Sequence, residues 1–260
     1  ESSRSAGPTL QLEGTLRVFV GDPGHHEGIV EEPELELALQ VGSSLVPLNP
    51  SGVAAFRGAT DGSRAVVALE RTPVLERAVG AAGLALSTIS AEDAAAAGLA
   101  ALATEPPLAV VAALVTAPSA APRVMDHPVY VVRVIDDASG PAVSESDARA
   151  ALASASSYWR AQSQGYVTGL TVKNVRAMNY PSSCADNSDP LFQKAMQQYP
   201  GVDFTAQGVH LLVFRSPSCG GSVLGRGTLG TSVSTGGMVW LSGSDLGALI
   251  HELGHNLSFM

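Results

Sequence analysis

Apolar and polar positions change their period partway along this chain. Between residues 9 and 70 the segments TLQLEGTLRVFV, PELELALQV, GVAAFRG and AVVALE alternate partially with period two, separated by Gly, Pro, Asn and Asp. That pattern predicts short strands and turns, hence a small N-terminal antiparallel β domain over residues 1–103. From about Ala91 to Ala103 the chain is Ala-rich behind Ser90 and Asp93, which predicts a helix. The stretch TEPPLAVVAALVTAPSAAPRV, from Thr104 to Val124, is rich in Pro and Ala and reads as a linker over residues 104–123.

Beyond it the pattern alternates strand and helix. VYVVRVI, from Val129 to Ile135, is a continuous apolar strand. Ser144 and Asp147 open a helix that carries Ala148, Ala151, Leu152, Ala155 and Trp159 on one face and stops before Gly165. TGLTVKNV (Thr168 to Val175) and GVHLLVF (Gly208 to Phe214) predict two further strands. A last helix follows a start signal at Ser242 and Asp245, with Leu246, Leu249, Ile250, Leu253 and Leu257 at helical spacing. The fold class is therefore α+β, with residues 124–260 as the second domain. No internal repeat appears.

The last helix carries the chemistry. His251 and His255 lie four residues apart, so both imidazoles point from one face, and Glu252 beside the first reaches a water that a shared metal would activate. This His-Glu-x-x-His spacing is that of a helical zinc hydrolase site, with His251 and His255 as ligands and Glu252 as the catalytic base. A catalytic zinc takes three protein ligands and an open position, and two ligands precede Met260. The bland alternative is a core helix whose two histidines are merely hydrogen-bonded, which leaves a buried Glu252 without a reason.

HELGHNL, with Gly254 and Asn256 around the second histidine, resembles the metzincin endopeptidases, most of all their gametolysin-like branch. SYWRAQSQGYVTGLTV also resembles the helix-to-strand passage of those enzymes, so the likeness covers about Val124 to Met260 and is strongest at its end. It implies the N-terminal half of a metzincin-like zincin domain: a twisted mixed sheet, a backing helix and a zinc-site helix. It places a third histidine just past Met260. It also implies a glycine at positive φ three residues after the second histidine; that position is Ser258, for which positive φ is costly.

The resemblance further implies an edge strand upstream of the zinc helix, antiparallel to bound substrate, in the segment Gly227 to Val233. Gly227, Thr228, Leu229 and Gly230 are its candidate substrate-binding residues, whose backbone would hydrogen-bond an extended peptide. The alternative for this segment is a Gly-rich hairpin with no substrate role. Gly225, Gly227 and Gly230 also satisfy G-x-G-x-x-G, but TSVSTGGMVWL continues as extended chain where a dinucleotide site needs a helix. The implied activity is that of a secreted zinc-dependent endopeptidase acting on proteins or peptides, with Zn²⁺ as cofactor. Two alternatives stay open: a gluzincin, which takes its third ligand from a downstream glutamate, and a non-catalytic zinc-binding protein with a relic motif.

Composition narrows the partners. Forty-five per cent of the 260 residues are hydrophobic, ample for packed cores, and the formal charge is −9 with 15 Lys plus Arg. No basic run exists to hold nucleic acid or an anionic membrane surface. The longest apolar run, Leu108 to Val115, is far short of the roughly 20 residues a membrane helix needs. Glu1 is not methionine and no targeting segment precedes the fold, so one is expected to have been removed or omitted. Cys184 and Cys219 are expected to pair, closing a loop of about 35 residues worth roughly 3–4 kcal/mol; two buried thiols are the alternative.

The N-terminal domain is expected to be a propeptide that acts as an intramolecular inhibitor, removed by cleavage near Arg123, with an accessory binding module as the rival. Its histidines, His25 and His26, are read as a solvated loop. His127 is read as solvated too, and His210 as a satisfied structural histidine within its strand.

Overall fold

The computed structural model describes residues 9–23, 34–42, 44–49, 56, 61–70, 72, 108–116, 122–135, 141, 143–180, 188–217 and 223–259. The chain divides into two compact units, Glu1–Arg17 with Glu36–Pro118 and Val18–Leu35 with Ser119–Met260. Both are rich in strand, and the described helices all lie in the second, so the α+β class holds.

The first unit contains the start of β1 (Thr9–Pro23) together with β2 (Glu34–Val41), β3 (Ser44–Asn49), β4 (Arg64–Glu70) and β5 (Leu108–Thr116). They run in the order β2-β3-β5-β4-β1, and β1 pairs again with β2, so the sheet closes into a barrel. Among the described strands of this unit, closure pairs each with a neighbour on both sides. Period-two alternation explains the inside: Leu10 and Leu12 of β1 lie opposite Leu69 and Val67 of β4, and these four are fully buried together with Leu16 and Ala65. A buried ion pair, Arg17 Nη1 to Asp61 Oδ2 at 2.6 Å, is completed by Arg17 Nε donating to Gln40 Oε1 at 2.7 Å.

Two expectations for this region are corrected. The domain is not purely antiparallel, because β3 and β5 pair in parallel at Leu48↔Leu108 and Asn49↔Ala109. Residues 104–123 are not simply a linker, because the Pro-free run inside them forms β5, which pairs antiparallel along β4. Proline flanks gave the stretch a linker's composition, while the Val/Ala/Leu run between them has the donors and apolar side chains a buried strand needs. The helix expected at 91–103 lies outside the described residues, as does GVAAFRG apart from Phe56.

In the second unit, β6 (Met125–Ile135) pairs in parallel with both β7 (Val167–Asn179) and β8 (His210–Arg215). β10 (Gly237–Ser242) runs parallel to β8, and β9 (Val223–Thr228) is antiparallel to β10. Helix α1 (Glu145–Gln162) has Ser144 as its cap, accepting from the Asp147 amide, and buries the expected face through Ala148, Leu152, Ala155 and Trp159. It shares one core with α3 (Leu246–Asn256) and with Val129, Val131, Leu212, Phe214, Val239 and Leu241 of the sheet. Helix α2 (Ser188–Met196) packs by β8; neither it nor β3 was expected from the pattern, whereas β10 falls in the stretch read as extended chain. Among the described residues no helix is long and apolar enough to cross a membrane.

Candidate functional site

Helix α3 begins one turn later than its start signal suggests. Ser242 is the last residue of β10, and the cap is Asp245, whose side chain accepts from the Ala248 amide at 2.8 Å. Leu249, Leu253 and Leu257 then point into the core, which fixes the helix's rotation. His251 and His255 fall on successive turns of another face, with ring centroids 4.8 Å apart and planes at 87°. His251 is half-buried; Glu252 and His255 are buried, at 2% and 7% exposure.

Strand β9 lies directly against this helix, and its glycines are the reason it can. A Cβ on Gly225 would sit 2.9 Å from Glu252 Oε1, and one on Gly227 would sit 2.7 Å from the Glu252 carbonyl oxygen and 3.1 Å from Oε2. Just beyond the strand, Gly230 donates its amide to the His255 carbonyl at 2.7 Å. The G-x-G-x-x-G spacing thus records close approach to the helix, with no helix following to hold a phosphate. Of the four substrate-binding candidates, Gly227 and Thr228 end the strand, while Leu229 and Gly230 lie past it. The strand is not a free edge. Its outer side pairs antiparallel with β1 through Phe19↔Thr228, Val20↔Gly227 and Gly21↔Arg226, and Leu229 donates to the Val18 carbonyl at 2.8 Å.

After the helix the chain makes the turn that Ser258 was expected to resist. Ser258 stands at φ 61°, its amide reaches the His255 carbonyl at 3.2 Å, and the Phe259 amide reaches the Gly254 carbonyl at 3.0 Å. These two bonds form a Schellman cap with serine in the left-handed position glycine usually takes. The Phe259 ring stacks on Trp159 of α1, centroids 5.0 Å apart, and that contact helps hold the strained conformation.

A buried polar chain ties the same turn to the sheet. The Asn256 amide nitrogen lies 2.7 Å from the Thr228 carbonyl, so it donates, and its Oδ1 must accept from His210 Nδ1 at 3.0 Å. With that proton on Nδ1, His210 Nε2 is the acceptor for His127 Nδ1, 2.9 Å away. His127 Nε2 is left buried with no hydrogen-bond partner. Burial pulls the His127 pKa from 6.5 down to about 4, against a smaller raising effect of the Asp126 carboxylate. The solvated reading of His127 is therefore corrected: it is fully buried within β6, beside the strand that carries His210. His210 is the satisfied structural histidine expected. The importance of Asn256 was missed; an amide next to Leu257 in an apolar helix was the available sign.

Among the described residues no group of three His, Cys, Asp or Glu side chains forms a metal site. The donor set fits zinc as far as it goes: two imidazoles one turn apart account for two of the three protein ligands a catalytic zinc takes. His25, His26, Cys184 and Cys219 lie outside the described residues, so the expected disulfide does too. Arg123, the expected cleavage position, is exposed, and its backbone carbonyl accepts from the Ser234 hydroxyl at 3.1 Å. No protein-family model, curated protein or solved structure matches this chain.

Proposed function

We propose that the chain belongs to a secreted zinc-dependent endopeptidase of the metzincin type, closest to the gametolysin-like branch, and that its second unit is the N-terminal half of the catalytic domain. The observation that carries this reading is the disposition of α3. Two imidazoles from successive turns flank a buried carboxylate, and an antiparallel strand runs against that carboxylate. A mixed sheet with one antiparallel strand just upstream of the helix, and the left-handed turn at Ser258, support the same reading.

His251 and His255 would hold the metal through their imidazole nitrogens, and the resemblance implies a histidine as the third ligand. Zinc bound there supplies a Lewis acid that polarises the scissile carbonyl and makes water a stronger acid. Glu252 takes the proton of the attacking water and returns it to the leaving amine. Its carboxylate is held for this by the glycines of β9, which leave it room but little freedom.

The test is cleavage of an unfolded protein substrate by protein that includes the third-ligand position, with zinc content measured alongside. Glu252→Ala should retain zinc and lose at least a hundredfold in rate. His251→Ala should lose both. Zinc binding with no cleavage by the parent would favour the relic reading, and loss of zinc on Glu252→Ala would refute the assigned roles.

A further inference from the structure

We propose that Asn256 is a positioning residue for His255, and that it acts by fastening the last turn of α3 to β8 and β9. The inference rests on the reading of His251 and His255 as metal ligands and gives that site a support from the sheet. Successive helix residues point about 100° apart, so His255 can face the site while its neighbour faces the sheet. Asn256 does face it, fully buried, with its amide bonded to both strands. It donates to the Thr228 carbonyl at 2.7 Å and to Thr228 Oγ1 at 3.1 Å, and it accepts from His210 Nδ1 at 3.0 Å. Thr228 Oγ1 in turn accepts from the Met238 amide at 3.1 Å, which joins β10 to the same anchor.

The surroundings leave room for that side chain and no other position for it. A Cβ on Gly237 would sit 2.6 Å from Asn256 Oδ1, and one on Gly230 would overlap the Asn256 carbonyl oxygen. Because Gly230 also donates its amide to the His255 carbonyl at 2.7 Å, His255 is held both at its own carbonyl and through the side chain that follows it. A short amide brings two donor hydrogens and an acceptor to one point. Alanine or leucine at 256 would suit an apolar helix face but would remove all three of these bonds. A tie elsewhere on α3 would stabilise the fold; a tie one residue from a ligand also fixes where that ligand stands. Ligands must be placed within about 0.5 Å, and outer partners that place them change metal affinity by ~10–100-fold.

The test reads Zn²⁺ affinity by competition with a chromophoric chelator, in protein that includes the third-ligand position and that urea unfolding shows to be folded. Asn256→Asp keeps the acceptor for His210 but loses both donated bonds, and it should bind Zn²⁺ at least tenfold more weakly than the parent. Thr228→Val removes the hydroxyl alone and should give a smaller loss, which Thr228→Ser should restore. Val132→Ala, at a buried position of β6 outside the core shared with α3, should lower stability and leave Zn²⁺ affinity unchanged. Should Asn256→Asp fail to fold, the two Thr228 variants carry the test. Folded Asn256→Asp or Thr228→Val protein that binds Zn²⁺ as tightly as the parent would overturn the proposal and leave the endopeptidase reading in place. An equal loss in Val132→Ala would reduce the effect to stability and overturn the proposal too. A parent that binds no Zn²⁺, or whose binding survives His251→Ala, would overturn the endopeptidase reading and this inference with it.

Discussion

Protonation of His127 should weaken the fold by an amount set by its burial. In the hydrogen-bonded chain from Thr228 through Asn256 and His210, the His127 proton is committed to Nδ1, so an added proton must go to Nε2, where no partner meets it. The folded pKa is about 4, against 6.5 for the unfolded chain. At pH 7 both states are neutral and the histidine adds no pH dependence. As pH falls through 6.5 the unfolded state takes up the proton first, and stability declines by ~1.4 kcal/mol per pH unit until the folded state also protonates near pH 4. The total loss is about 3 kcal/mol, a large share of the ~5–15 kcal/mol that holds a typical domain. The comparison is with His127→Gln, which keeps a donor to His210 and does not titrate. Urea unfolding of both proteins from pH 7.5 to 4, with chelator present to exclude metal, isolates the histidine in their difference. The stability of the parent relative to the variant should fall by about 3 kcal/mol between pH 7 and pH 4. A flat difference, or a His127 imidazole titrating near 6.5 by NMR, would refute the buried neutral tautomer.

Two other outcomes follow from the geometry around α3. Ser258→Gly should stabilise the protein by ~0.5–1 kcal/mol, because relief of the left-handed strain exceeds the extra unfolded-state entropy of glycine; thermal unfolding would show it as a raised Tm, and a lowered Tm would mean that Ser258 contributes a contact worth more than the strain. Gly227→Ala should cost about 1–3 kcal/mol by pressing its new methyl onto the Glu252 carbonyl and carboxylate; on the proposed reading, any cleavage should fall further than stability because the proposed base is displaced, and unchanged urea stability would place β9 farther from the helix.

Much of the second unit was legible because local signals and tertiary demand agree there. The Ser144 cap, the Ala148, Leu152, Ala155 and Trp159 face and the apolar runs of β6 and β8 each bury what their period predicts. Helix α3 was legible for the same reason, since its leucines and its histidines lie on different faces at helical spacing. Errors arose where composition stood in for pattern. Prolines around Leu108–Thr116 suggested a linker, yet a strand forms between them because β4 offers a partner more than thirty residues away in sequence. β3, with Pro47 inside it, carries too weak an alternation to identify alone, and β2 supplies the pairing that makes it a strand.

By itself the sequence determined what depends on neighbours a few residues apart: the period of each element, the cap of α1, and the shared face of His251 and His255 with Glu252 beside them. Tertiary structure alone decided what depends on partners far along the chain. It turned β9 from an expected edge into a paired strand by bringing Phe19 opposite Thr228. It turned His127 from a solvated residue into a buried neutral one by placing His210 beside it, and it let Ser258 hold a glycine's conformation against the stacked Phe259 and Trp159 rings. Desolvation, strand pairing and tolerated strain are properties of an environment, and that environment exists only once distant segments have packed together.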